Sequence, residues 1–333
     1  MSWKVLITAR TFEQVGRPAL ELLKKSGCEV VIPEKFGPLN EDELRQRLDG
    51  IDATLVSPDK YTAAVLGSPA AAQLKIISRW GVGYDSIDVP AATRNGIVVA
   101  YTPGFLNETV ADYAFGLLLA VARRVHDGHL LMRNGGWSLT WGSDVFGRTL
   151  GILGCGRIGQ AMARRATGFN MRLIGYDVQP SPDAEGIGVK FVSFDELLAE
   201  SDFLSLHAAL TPQNRGLLGE AQLRKMKRGA YLINTARGAL VDEGALVRAL
   251  EEGWIAGAAV DAFVVEPLPA DHPLRRAPNL LLTPHQASCG RETGERVSQV
   301  AAQAITDLKN GKRSQFVVDP EVFTSPALRA KIK

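Results

Sequence analysis

Short apolar runs alternate with helix-length segments along most of this chain. Val5-Leu6-Ile7, Val30-Val31-Ile32, Ala53-Thr54-Leu55-Val56, Ile76-Ile77-Ser78 and Ile97-Val98-Val99 read as strands. Between them, Phe12 to Lys25, Glu41 to Leu48 and Val89 to Arg94 read as helices. A strand buried on both faces carries apolar residues at successive positions, and strict strand–helix alternation describes a parallel sheet covered on both sides. A long helix is predicted from about Thr109 to Arg133, with Asn107 and Thr109 as caps and Gly135-Gly136 as its stop.

The alternation then restarts with Leu150–Leu153, Leu173–Tyr176, Phe203–Leu206 and Ala230–Ile233, followed by Ala258–Val260 and Leu280–Leu282. All have the composition of central strands. A last helix runs from roughly Arg291 to Lys309, and the tail beyond Gly311 has no strong pattern. The restart predicts an α/β protein with two doubly wound parallel sheets of the Rossmann or flavodoxin-like type. At 333 residues and 35.9 kDa the chain is too long for one ordinary core, which agrees with two domains. No Pro/Gly/Ser-rich linker marks the boundary, which falls near residue 100 on the restart alone.

Composition narrows the function classes. With 46% hydrophobic and 22% charged residues the chain reads as an ordinary soluble protein. A net charge of +2 argues against nucleic acid or an anionic membrane as the main partner. The most apolar helical stretch, Ala114 to Ala122, is far short of the ~20 residues that span a bilayer, so it is expected in the core. Cys28, Cys155 and Cys289 have neither metal-ligand nor disulfide-framework spacing, and Ser2 to Ile7 reads as a first strand rather than a signal peptide. A cytoplasmic location is expected.

Gly154-Cys155-Gly156-Arg157-Ile158-Gly159 matches G-x-G-x-x-G, a weak pattern alone. Here a buried strand ends at Leu153, and Arg157 to Thr167 reads as a helix. The first glycine permits a tight turn, and the second lets backbone N–H groups approach a pyrophosphate. The third lets helix and strand pack closely, and the helix N-terminus adds positive potential. Asp177 ends the next strand, where a carboxylate accepts hydrogen bonds from the adenosine ribose hydroxyls and repels a 2′-phosphate. Val178-Gln179-Pro180 brings no arginine to offset that charge, so NAD is expected over NADP. Cys155 reads as a small filler.

Three polar segments follow the late strands: Asn234 to Gly238, Asp261 to Pro267 and Thr283 to Ser288. In an open α/β sheet, ligands bind beyond the carboxyl ends of the strands, where these loops can converge. Arg237, Glu266 and His285 are the set that carbonyl reduction requires. Hydride addition leaves charge on the carbonyl oxygen, a histidine can supply the proton near neutral pH, and a carboxylate can orient its ring. An arginine can hold a substrate carboxylate with a planar pair of donors. Singly, each has a bland reading; together, each after its own strand, they point to a site.

These segments, with Trp80 to Asp88 and Thr149 to Gly159, resemble the D-isomer-specific 2-hydroxyacid dehydrogenase family over nearly the whole chain. The resemblance implies a discontinuous substrate domain, 1–101 with 290–333, around an NAD-binding domain, 102–289. It implies Arg237 as carboxylate binder, Glu266 as partner and His285 as acid/base. It further places Val82 and Gly83 against the substrate carboxylate, and His207, Thr235, Ala236 and Asp261 against the cofactor. A homodimer is implied, with Trp137 and Trp141 on the segment that carries such contacts.

Within the family, Pro103 to Asp112 looks like the glyoxylate and hydroxypyruvate reductase branch. Val56-Ser57-Pro58 stands where the phosphoglycerate branch has an arginine. Glu266 and Val82 stand where formate and phosphite dehydrogenases carry Gln and Lys. Two departures are Ala208-Ala209-Leu210-Thr211 after His207, which lacks a usual proline, and Gln286 after the histidine, where Ile or a small residue is usual. The alternatives are a phosphoglycerate-type or other-donor dehydrogenase, or a nucleotide-sensing scaffold akin to the family's corepressors.

Overall fold

The computed structural model describes residues 2–333, which form two compact units. One comprises residues up to Leu106 together with Cys289–Lys333, and the other comprises Asn107–Ser288. In the first, β1 (Trp3–Ile7), β2 (Cys28–Val31), β3 (Ala53–Val56), β4 (Ile76–Arg79) and β5 (Val98–Ala100) form a parallel sheet in the order β2-β1-β3-β4-β5. The helix Arg291–Lys309 packs on this sheet, where Ser78 Oγ donates to Ala301 O at 2.8 Å.

The second unit carries β6 (Thr149–Leu153), β7 (Arg172–Tyr176), β8 (Lys190–Phe191), β9 (Phe203–Leu206), β10 (Tyr231–Asn234), β11 (Gly257–Val260) and β12 (Leu280–Leu282). They form one parallel sheet in the order β12-β11-β10-β9-β6-β7-β8. Neighbouring residues face opposite sides, so Ile233 and Ala259 join one apolar cluster while Leu232, Ala258 and Val260 join the other. Both faces are covered, as the unbroken apolar strands predict. The helix Asn107–Ala122 lies in the first of these clusters through Ala111, Ala114, Phe115 and Leu118.

Several expectations need correction. The helix read from Thr109 to Arg133 is two helices, Asn107–Ala122 and Val125–Arg133, broken where Arg124 adopts φ 53°. Ser143 N donates to Ala122 O at 2.8 Å, so a later segment takes the carbonyl that a continuous helix would use. Phe12 to Lys25 likewise divides at Gly16 into Phe12–Val15 and Arg17–Lys25, with Pro18 in the first turn of the second. Glu41 to Leu48 is helical only over Glu41–Arg45. Leu280–Leu282 is an edge strand, half-buried rather than central.

Candidate active site

The strands of the second sheet run parallel, so every loop at their carboxyl ends leaves from one edge. Those loops carry Gly154–Gly159 after β6, Asp177 after β7, His207 after β9, Arg237 after β10, Glu266 after β11 and His285 after β12. The chain lays β7 and β8 on one side of β6 and β9 to β12 on the other. The glycine loop therefore sits at the switch point, where the loops on either side diverge and leave a crevice.

Gly154 has φ 92°, and a Cβ there would lie 2.4 Å from Ala208 N. A Cβ on Gly159 would lie 2.2 Å from Gly154 O, so helix Arg157–Thr167 can approach β6 only through glycine. At Gly156 a Cβ would meet nothing within 4 Å, leaving an open approach to the backbone. Gly156 caps this helix with no side-chain hydrogen bond, so no side chain of its own occupies the first N–H groups. Arg157 is exposed and Ile158 half-buried in that first turn. Asp177 Oδ2 accepts from Cys155 N at 2.7 Å, and Oδ1 accepts from Gln179 N at 3.1 Å, so the acid is fixed by the loop it faces. Thr235 has a buried hydroxyl with no hydrogen-bond partner, and Ala236 is half-buried beside it. An open glycine cradle, an uncapped helix start and an orphaned hydroxyl fit a dinucleotide.

Cys155 is 2% exposed, and burial, with Asp177 second, pushes its thiol up to about 12. A neutral thiol packed under Gly175 agrees with the filler reading. His207 Nε2 lies 2.8 Å from Ser205 Oγ, and burial lowers its pKa to about 4, so its ring is neutral near pH 7.

His285 Nδ1 lies 2.8 Å from both Glu266 Oε1 and Oε2. A carboxylate on Nδ1 fixes the tautomer and leaves Nε2 for another partner. Glu266 is held in turn, because Oε1 accepts from Phe263 N at 3.0 Å within the same turn. Glu243 Oε1 accepts from Val264 N at 2.9 Å, and its Oε2 is 3.5 Å from His272 Nε2. The backbone of His285 has φ 51°, a left-handed conformation unusual for any residue but glycine. Asp261, wholly buried, accepts from Thr283 Oγ1 at 2.6 Å and Gln286 N at 3.0 Å through Oδ1, and from Ala287 N at 2.8 Å through Oδ2. Burial raises its pKa, and these three donors oppose that rise.

Arg237 lies on a turn built by Asn234, which is 1% exposed. Asn234 Oδ1 accepts from Ala236 N and Nδ2 donates to Arg237 O, both at 3.0 Å. A Cβ on Gly238 would lie 2.1 Å from Phe263 C, so the arginine turn packs directly against the turn that carries Glu266. The structure thus brings the Arg237, Glu266 and His285 loops together within one unit. Val82 and Gly83 lie in the first unit, on the loop after β4, where Gly81 has φ 126° and Arg79 Nε donates to Gly83 O at 2.8 Å.

Sequence reasoning gave no role to Tyr113, Asn234, Glu243 or Thr283. Asn234 and Thr283 stand in the polar segments singled out, where a strand-end Asn or Thr next to a functional residue is a usable signal. Glu243 and Tyr113 act from other elements and leave no local trace.

Comparison with known proteins supplies the remaining findings. Residues 115–287 match the family of D-isomer specific 2-hydroxyacid dehydrogenase NAD binding domains. A glyoxylate reductase of Korarchaeum cryptofilum is 49% identical over 260 residues, covering 76% of this chain and 78% of that one. One from Thermofilum pendens is 42% identical over 319 residues, 93% of each. The crystal structure of a glyoxylate reductase from Paecilomyes thermophila superposes with a TM-score of 0.83 at 33% identity, over 96% of this chain and 99% of that one.

Proposed function

Given that the chain belongs to the D-isomer specific 2-hydroxyacid dehydrogenase family and is an NAD-dependent oxidoreductase, we propose that it reduces small 2-oxo acids of the glyoxylate and hydroxypyruvate type, with His285 as the acid. The observation that carries this is the His285–Glu266 pair, two contacts of 2.8 Å on a turn packed against the Arg237 turn. The relatives named glyoxylate reductase favour that substrate class.

Asn107–Ser288 holds the cofactor, with Gly154, Gly156, Arg157, Ile158 and Gly159 at the pyrophosphate and Asp177 at the ribose. His207, Thr235, Ala236 and Asp261 contact the cofactor, Asp261 near the nicotinamide amide. Bound NADH supplies the hydride that the carbonyl carbon accepts. Arg237 grips the substrate carboxylate with a planar pair of donors. As charge develops on the carbonyl oxygen, His285 Nε2 gives it a proton, and Glu266 at Nδ1 steadies the ring through the change. In the reverse direction the same nitrogen takes the proton from the hydroxyl. Residues 1–101 with 290–333, which fall within the first unit, serve as the substrate domain.

The partner of this chain is a second copy of itself, supported by exposed Trp137, Leu139, Trp141 and Phe146. No helix among the described residues is long and apolar enough to cross a membrane. A cytoplasmic location is part of the proposal, supported by the buried thiols of Cys28 and Cys155, and recovery of the protein in a membrane or secreted fraction would contradict it.

NADH oxidation with glyoxylate, hydroxypyruvate, pyruvate, a longer 2-oxo acid and 3-phosphohydroxypyruvate tests the substrate class. Fastest turnover with the first two, and preference for NADH over NADPH, are expected. Preference for the phosphorylated substrate would favour the phosphoglycerate-type alternative, and silence with NADH still bound would favour a scaffold.

A further inference from the structure

Gln286 stands next to the catalytic histidine where the family usually has an aliphatic or small residue. Its amide does not point to solvent: Nε2 donates to Tyr113 Oη at 2.6 Å. Tyr113 belongs to the helix Asn107–Ala122, whose Ala111, Ala114 and Phe115 are buried in the sheet's apolar cluster. Tyr113 packs against the same cluster, so its hydroxyl is presented from a rigid base.

The neighbouring backbone needs such a tie. His285 is held at φ 51°, a conformation that the surrounding structure must impose. Asp261 grips the backbone beyond His285 at Gln286 N and Ala287 N, and the Thr283 hydroxyl before it. These bonds fix where the turn sits on β11 and β12. They do not link it to the helix layer, and the Gln286–Tyr113 bond does. An aliphatic side chain at 286 cannot make it.

We propose that Gln286 and Tyr113 form a positioning pair that holds the His285 turn against the core helix and sets the orientation of the proton-donating ring. Neither residue is assigned a contact with the reacting atoms. Both act through His285, so the inference rests on the acid/base reading of that residue.

The test compares Tyr113→Phe, Gln286→Leu, their double variant and Gln286→Glu. Each is followed by single-turnover NADH oxidation at saturating glyoxylate, NADH binding by fluorescence, and thermal midpoint. Tyr113→Phe keeps the ring and its packing, so folding is preserved. The expected result is a hydride-transfer rate about tenfold lower in both single variants, as for one lost hydrogen bond, with NADH affinity and thermal midpoint little changed. The double variant is expected to be no slower than either single one, and Gln286→Glu, which can restore the link in the reverse direction by accepting from the Tyr113 hydroxyl, to retain most of the rate. Unchanged rates, losses that multiply in the double variant, or losses matched by weakened NADH binding would overturn the pair. His285→Ala run alongside separates the two readings. An active His285→Ala defeats the acid/base role itself, whereas an inactive one beside a fully active Tyr113→Phe defeats only the pair.

Discussion

His207 shows how a single side chain couples this site to pH. Its ring nitrogen meets Ser205 Oγ, and burial depresses its pKa from 6.5 to about 4. A base whose folded pKa is depressed binds its proton more weakly in the folded state, so the unfolded chain takes up protons first as pH falls. The contribution to stability is therefore complete above pH 6.5, declines below it, and is gone once pH falls through about 4. The shift corresponds to at most about 3 kcal/mol. His207→Gln keeps a polar group of similar reach and cannot titrate. Denaturation from pH 7.5 to 4 is expected to show the wild-type curve falling relative to that of the variant as the solution becomes acid. Two parallel curves would show that His207 does not carry this dependence.

At the scale of elements, legibility followed the range of the interactions. The glycine loop, Asp177 and the strands around them were readable because a buried parallel strand, a tight turn and a helix start each impose local residue choices. The helix Arg157–Thr167 and the helix Arg291–Lys309 appear with the bounds that their patterns predict. The Thr109 to Arg133 segment was misread because the break at Arg124 depends on Ser143 capturing Ala122 O. Leu280–Leu282 is as apolar as a central strand, yet its edge position is set by sheet order, which composition does not encode. The residue types proposed for catalysis, Arg237, Glu266 and His285, could be singled out from their positions after successive strands. The grip of Asp261 on the His285 turn and the Gln286–Tyr113 bond were not, since the latter joins residues 173 positions apart.

For the whole molecule, the segment after the helix Val125–Arg133 carries the largest apolar exposure. Trp137 is 88%, Leu139 85% and Trp141 84% exposed, Phe146 adds to them, and Val125 and Met132 are exposed on the helix just before. Isolated exposed apolar residues are ordinary, but this many close together along the chain support the proposed contact with a second copy. Sedimentation is expected to give about twice the chain's 35.9 kDa, and replacing Trp137 and Trp141 by Ser is expected to shift the protein toward the single chain. A monomer at micromolar concentration, unaffected by these changes, would contradict the second copy.

If the family's hydride chemistry runs here with His285 as proton donor, removing its imidazole must abolish turnover while sparing the cofactor site. NADH oxidation by the wild-type protein and by His285→Ala is followed with glyoxylate, each protein first shown to bind NADH with the same affinity. Turnover by the wild type and a loss of about a thousandfold in the variant are expected, within the range that general acid catalysis supplies. Turnover by His285→Ala within tenfold of wild type would contradict it.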